Sequence, residues 1–274
     1  MVTMLSVALA TKLLAAPLLI GLASLAGKRW GPGASGLLGG LPLVGAPVVL
    51  TLLLTDGAEP ALRAASSAPI GVWATMTYLL VLGFVSRRLA WPQTLATGWL
   101  AYLAAASGLH YSGLDQWPLL GYAVLPALIF AALRLLPRPG ASPRTVALPT
   151  MELITRMLAA ALLVLILTAA AETIGPDFTG VLAGAPVAAT VIPAFTLALS
   201  GRDALLRALR GFLTGLTGFA AFFLVLAASL PSWGSLAWLA ASLAAITAGL
   251  ISTHLIRRHW HGESTPAVGL PKKP

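Results

Sequence analysis

Long apolar runs recur along the whole chain, separated by short stretches that hold most of the charge. Each run is long enough to cross a hydrocarbon layer of roughly 30 Å as a helix. The punctuation predicts nine spans, near residues 4–27, 35–55, 69–86, 92–110, 117–134, 150–171, 178–199, 211–230 and 234–255. The expected fold class is therefore all-α, a polytopic membrane bundle. The connecting segments are short, so consecutive spans pack beside one another. The first run has no basic leader and no small-residue cleavage site, which makes it a span rather than a removed signal.

Composition agrees with this pattern. The 274 residues are 58% hydrophobic and 9% charged, against about a quarter charged in soluble domains. There are no cysteines, which excludes disulfides and thiolate metal sites. The net charge of +9 does not call for nucleic acid, because membrane proteins gather Lys and Arg in cytoplasmic loops. With nine spans, 14 of the 17 basic residues fall on one side, among them Lys28, Arg29, Arg87, Arg88, Arg138, Arg202, Arg207 and Arg210. The other side holds Arg63 with Asp56, Glu59, Asp115, Glu172 and Asp177. That sorting predicts an outside N-terminus and a cytoplasmic C-terminus.

The sequence also repeats itself. GPGASGLLGGLP, beginning at Gly31, returns 144 residues later as GPDFTGVLAGAP, beginning at Gly175. In the same ungapped register Lys12 meets Arg156, Ser35 meets Thr179, Pro42 meets Pro186, and Gly57, Glu59, Leu62 and Arg63 meet Gly201, Asp203, Leu206 and Arg207. Four spans per half with one linking span would make the halves an inverted-topology pair in a 4+1+4 layout. The division is a first repeat over 1–112, a linking fifth helix and loop over 113–148, a second repeat over 149–258 and a disordered basic tail over 259–274. Folds of this kind place substrate near the midplane, where interrupted helices meet.

The stretches AGKRWGPGASGLLGGLPLVGAPVVLTLLLTDG and AETIGPDFTGVLAGAPVAATVIPAFTLALSGRDALLRALRG carry a family likeness. Each half resembles the GlpM family of small bacterial integral membrane proteins. The likeness covers most of both halves but neither the fifth span nor the tail. It implies a fused duplication and a multi-pass protein of the bacterial inner membrane, with little chemistry attached. The 4+1+4 plan is also similar to that of fused fluoride channels, but the asparagines those channels use have no counterpart in a chain without Asn.

Candidate chemistry follows from the repeated punctuation. Gly-Pro at 31–32 and 175–176 suits a helix start, where Ser35 and Thr179 would cap. Gly36 and Gly40, like Gly180 and Gly184, are spaced for close helix approach. Pro42 and Pro47 in span two, and Pro186 and Pro193 in span seven, would open their helices by removing backbone hydrogen bonds. The expected picture is a crossing of spans two and seven, with freed carbonyls and Thr51, Thr190 and Thr196 around a polar cavity. Lys12 and Arg156 read either as side chains reaching back to the interface or as paired cations for an anion. Glu152, one turn before Arg156, offers an internal ion pair. The His-rich segment THLIRRHWHGES reads as a membrane-surface tail rather than a metal site.

These features point to a transporter or channel for a small anionic solute. The substrate-binding set is Lys12, Arg156, Ser35, Thr179, Pro42, Pro186, Thr51 and Thr190. No catalytic residue, metal or cofactor is expected, since the chain has no P-loop, HExxH or GxSxG. The expected partners are the lipid bilayer and a small solute or lipid head group, with a homodimer or a larger membrane complex open. The alternative is a non-catalytic structural or assembly subunit of such a complex.

Overall fold

Proline and glycine divide the chain into helices at the positions their backbone limits dictate. The computed structural model describes residues 2–42, 45–113, 117–140, 150–174 and 186–261. The helices are α1 Val2–Trp30, α2 Pro32–Gly40, α3 Gly45–Thr55, α4 Ala58–Val85 and α5 Trp91–Tyr111, then α6 Pro118–Leu135, α7 Thr150–Ile174, α8 Val187–Ser200, α9 Arg202–Trp233 and α10 Leu236–His261. No strand occurs among the described residues. The final helix runs through His261, past the expected tail boundary at 259, because its apolar periodicity carries on to Trp260. Residues 262–274 of that tail lie outside the described residues.

Span two is interrupted where the sequence predicts. Its first half, α2, stops at Gly40, and Leu41 turns to an extended φ −71°, ψ 160°, the conformation favoured before proline. The Leu41 amide closes the helix end by donating to the Leu38 carbonyl at 3.1 Å. Pro47 sits in the first turn of α3, where it breaks no hydrogen bond of that helix. In span seven Pro186 precedes α8, and Pro193 lies inside it.

Five stretches among the described residues are long and apolar enough to cross a membrane: Pro32–Leu54, Ala58–Val85, Thr150–Leu167, Arg202–Trp233 and Leu236–Leu255. Their outer faces are apolar too. Leu14, Leu18, Leu22 and Leu25 on α1, Ile154, Leu158 and Leu162 on α7, and Leu239, Leu243, Ile246 and Leu250 on α10 are all exposed. Spacing of three and four makes each set one helix face. An exposed apolar face of this extent fits a lipid surround, so the chain is a membrane-embedded helical protein.

The buried core lies between α4 and α9, at Tyr78, Leu79, Leu82, Leu205, Leu209 and Phe212. This corrects the expected centre, in which spans two and seven cross at Gly36 and Gly40. Helix α2 does touch α8, but its main neighbour is α9. A Cβ on Gly36 would strike the Ala208 carbonyl, one on Gly40 the Phe212 carbonyl, and one on Gly211 or Gly215 the carbonyls of Gly33 or Leu37. Two small-xxx-small stripes therefore interlock, Gly36/Gly40 on α2 with Gly211/Gly215 on α9. The physical reason is reciprocity: backbones approach this closely only where both helices lack side chains. Gly180 and Gly184 lie outside the described residues.

Other contacts recur between the two halves. Helix α1 packs on α7 and α4 on α9, while α6 touches both α4 and α9. Gly57 and Gly201, 144 residues apart in the sequence, precede α4 and α9 with nearly the same backbone, φ 91°, ψ −174° and φ 82°, ψ −178°. That region is open essentially to glycine alone.

Candidate functional site

Four helix ends converge on one small cavity. The last turns of α1 contribute Ser24 and Gly27, the first turn of α2 Pro32 and Ser35, the second turn of α7 Arg156, and the end of α8 Thr196 and Ser200. The cavity has a volume of about 20 Å³, enough for one water-sized group. Lys28 and Arg29 close α1 and Arg202 opens α9 at the same end of the bundle. Arg156 lies six residues after Thr150, about 9 Å along the axis at 1.5 Å per residue. The cavity thus lies a turn or two inside the basic end.

Arg156 turns inward. It is 3% exposed, so the interfacial reading of this residue does not apply. Its Nη2 donates to the Glu152 carboxylate at 2.5 Å and its Nη1 to the Ser24 hydroxyl at 3.4 Å. The guanidinium also stands over the Phe195 ring at 5.4 Å, a favourable place for a partly desolvated cation. Its Nε and the Ser35 Oγ are buried and have no hydrogen-bond partner among the described residues. An unmet buried donor costs free energy, roughly 1–3 kcal/mol each. Both atoms belong to residues that line the same cavity. A buried cation with a spare N–H, beside a spare hydroxyl at the start of an interrupted helix, is equipped to hold an anion.

The other expected residues are distributed differently. Thr190 is buried in the core, where it accepts from the Tyr78 hydroxyl at 3.3 Å and donates to the Pro186 carbonyl at 2.9 Å. Thr51 donates to the Pro47 carbonyl at 2.9 Å. Pro42 is buried at the break, where the Leu38 carbonyl accepts from the Leu41 amide. Lys12 lies on α1 twelve residues before Ser24; its side chain, like the whole of Thr179, lies outside the described residues. The structure thus brings together Arg156, Ser35 and Thr196, and leaves Thr190 and Thr51 elsewhere.

Four contributors were not read from the sequence. Ser24 and Ser200 are single serines in apolar helices, without a local signal. Gly211 and Gly215, which press α2 into place, do carry a small-xxx-small pattern that could have found them. No family model matches the chain, and no curated protein or solved structure matches it either.

Proposed function

We propose that the protein is a nine-span membrane transporter or channel for a small anionic solute, built as an inverted 4+1+4 duplication. The observation that carries the reading is the pairing of the Arg156 Nε and the Ser35 Oγ, both buried and unpartnered, on residues of one cavity. An ionisable side chain held inside a membrane bundle marks a solute or ion path by default. The site belongs toward the basic end, which draws anions to its mouth, rather than at the midplane break. The repeat is supported by the shared helix starts after Gly57 and Gly201, by α1 packing on its counterpart α7 and α4 on α9, and by α6 touching both halves. A duplicated GlpM-like origin, a bacterial inner-membrane location and a cytoplasmic basic face belong to the same proposal.

Anion binding is tested by thermal unfolding of the detergent-solubilised protein in chloride, nitrate or phosphate against an inert-anion control. A ligand at a hundred times its dissociation constant stabilises the folded state by about 2.7 kcal/mol. At least one anion should raise the midpoint of the wild type and leave Arg156→Gln unmoved. Equal shifts in both proteins would remove the site from Arg156.

The assembly-subunit reading is favoured by one observation, the close backbone contact of the α2 and α9 glycines, which leaves no room for a solute between those two helices. It predicts no anion-dependent stabilisation and a protein that copurifies with partner subunits.

A further inference from the structure

Helices α4 and α6 run side by side in the same direction. Toward their starts the Tyr122 hydroxyl donates to the Ala65 carbonyl at 2.6 Å. Toward their ends a Cβ on Gly83 would strike the Leu136 side chain. Arg210 of α9 donates to the Leu136 carbonyl, which sets these two ends beside the start of α9, at the basic end of the bundle. Both helices finish in arginine. Arg87 and Arg88 directly follow the end of α4, Arg134 stands in the last turn of α6, and Arg138 lies four residues on; all four are exposed.

Arginines at helix ends commonly serve the last carbonyls, but here those carbonyls are already met. At α4 the backbone amides of Ser86, Arg87, Arg88 and Leu89 donate to Leu82, Phe84 and Val85, and the Ser86 hydroxyl donates to Gly83. At α6 the Leu136 amide donates to Ala132, and Arg210 donates to Leu133, Leu136 and Pro137. No acid on these helices balances the charge either. Glu59, the one acid of α4, pairs with Arg63 at the opposite end of that helix, and α5 and α6 contain none. Asp203 on α9 sits against Gly140, where Arg207 also donates to the Gly140 carbonyl at 2.6 Å.

Below the arginines the surface is apolar. Phe84 lies one turn before Arg88 and Phe130 one turn before Arg134, and both are exposed, as is Leu135. The Arg134 guanidinium stands 4.7 Å over the Phe130 ring, so charge and lipid-facing surface meet at one place. Trp91, exposed at the first residue of α5, is the kind of residue that sits at a membrane surface. We propose that the adjoining ends of α4 and α6 form a binding site for an anionic phospholipid. Its phosphate oxygens accept from the guanidinium groups of Arg87, Arg88 and Arg134, and its acyl chains lie along Phe84, Phe130 and Leu135. Cations that no acid and no helix end engages, set above a lipid-facing apolar strip, match both parts of such a lipid. The site is separate from the Arg156 cavity and stands or falls without the transport reading.

The test counts bound lipid by native mass spectrometry of the full-length protein in detergent micelles holding equal amounts of phosphatidylglycerol and phosphatidylcholine. The wild type should retain phosphatidylglycerol in preference. Arg88→Gln/Arg134→Gln should retain about tenfold less of it. Lys28→Gln/Arg29→Gln, which removes the same charge from the end of α1, should match the wild type. Inorganic phosphate at the same concentration as the lipid should not displace it; displacement would mean a free-phosphate site and would overturn the lipid assignment. Equal retention of the two lipids by the wild type overturns the proposal. So does a loss no greater in Arg88→Gln/Arg134→Gln than in Lys28→Gln/Arg29→Gln. Should Arg88→Gln/Arg134→Gln fail to give a monodisperse protein, the two single variants decide: a partial loss in each supports the site, and no loss in either ends it.

Discussion

Gly57 and Gly201 hold the same glycine-only backbone conformation at the starts of α4 and α9. No described atom would meet a Cβ at either position, so any cost of a side chain there comes from the backbone. Gly57→Ala and Gly201→Ala should each destabilise by about 1–3 kcal/mol, by similar amounts. Thermal unfolding in detergent measures this. A large loss at one position and none at the other would deny the two glycines equivalent roles.

The interlocked stripes make a sharper demand. At Gly36, Gly40, Gly211 and Gly215 the obstacle is backbone of the facing helix, which cannot rotate away. Gly40→Leu or Gly215→Leu must push α2 from α9 and should cost more than the 1–3 kcal/mol typical of overpacking. Gly108→Leu, facing open space on α5, should cost little. Equal stability of all three variants would mean that α2 and α9 do not touch at these glycines.

Arg210 fastens α6 to α9. From α9 it donates to the carbonyls of Leu136 at 2.7 Å, Leu133 at 3.3 Å and Pro137 at 3.4 Å. These are carbonyls at the end of α6 that the helix itself leaves unmatched. Arg210→Ala should speed amide exchange through the last turn of α6, while exchange in α5 stays unchanged. Unaltered protection of α6 would show that the clamp is dispensable.

Charge sorting predicts the topology. The chain lacks cysteine, so Glu59→Cys and Lys273→Cys offer clean single labels. An impermeant maleimide added to intact cells should reach Glu59→Cys and miss Lys273→Cys until the membrane is opened. Labelling of both from outside would refute an odd number of spans.

Much of this architecture is legible because proline and glycine act locally. The Pro42 break, the proline before α8 and the glycines before α4 and α9 each follow from one residue's backbone limits. The Glu152–Arg156 pair is legible for the same reason, being set by helix spacing. Helix partners are not local. Gly36 and Gly40 announce a close contact without naming the other side, and Gly211 with Gly215 won that place through three-dimensional fit. Thr51 and Thr190 looked like cavity residues because threonine is rare enough in apolar helices to attract notice, yet both hydroxyls satisfy carbonyls one turn back. Ser24 and Ser200 matter only because four helix ends meet, and no single segment records that meeting.

The central claim is that an anion passes through a site built on Arg156. Its most direct test is anion flux into liposomes containing the purified protein, comparing wild type with Arg156→Gln and Arg156→Lys under chloride, nitrate and phosphate gradients. The account predicts flux of at least one anion by the wild type, a loss of at least tenfold in Arg156→Gln, and partial return in Arg156→Lys, with all three proteins equally folded and inserted. Wild-type flux that survives intact in Arg156→Gln would contradict it.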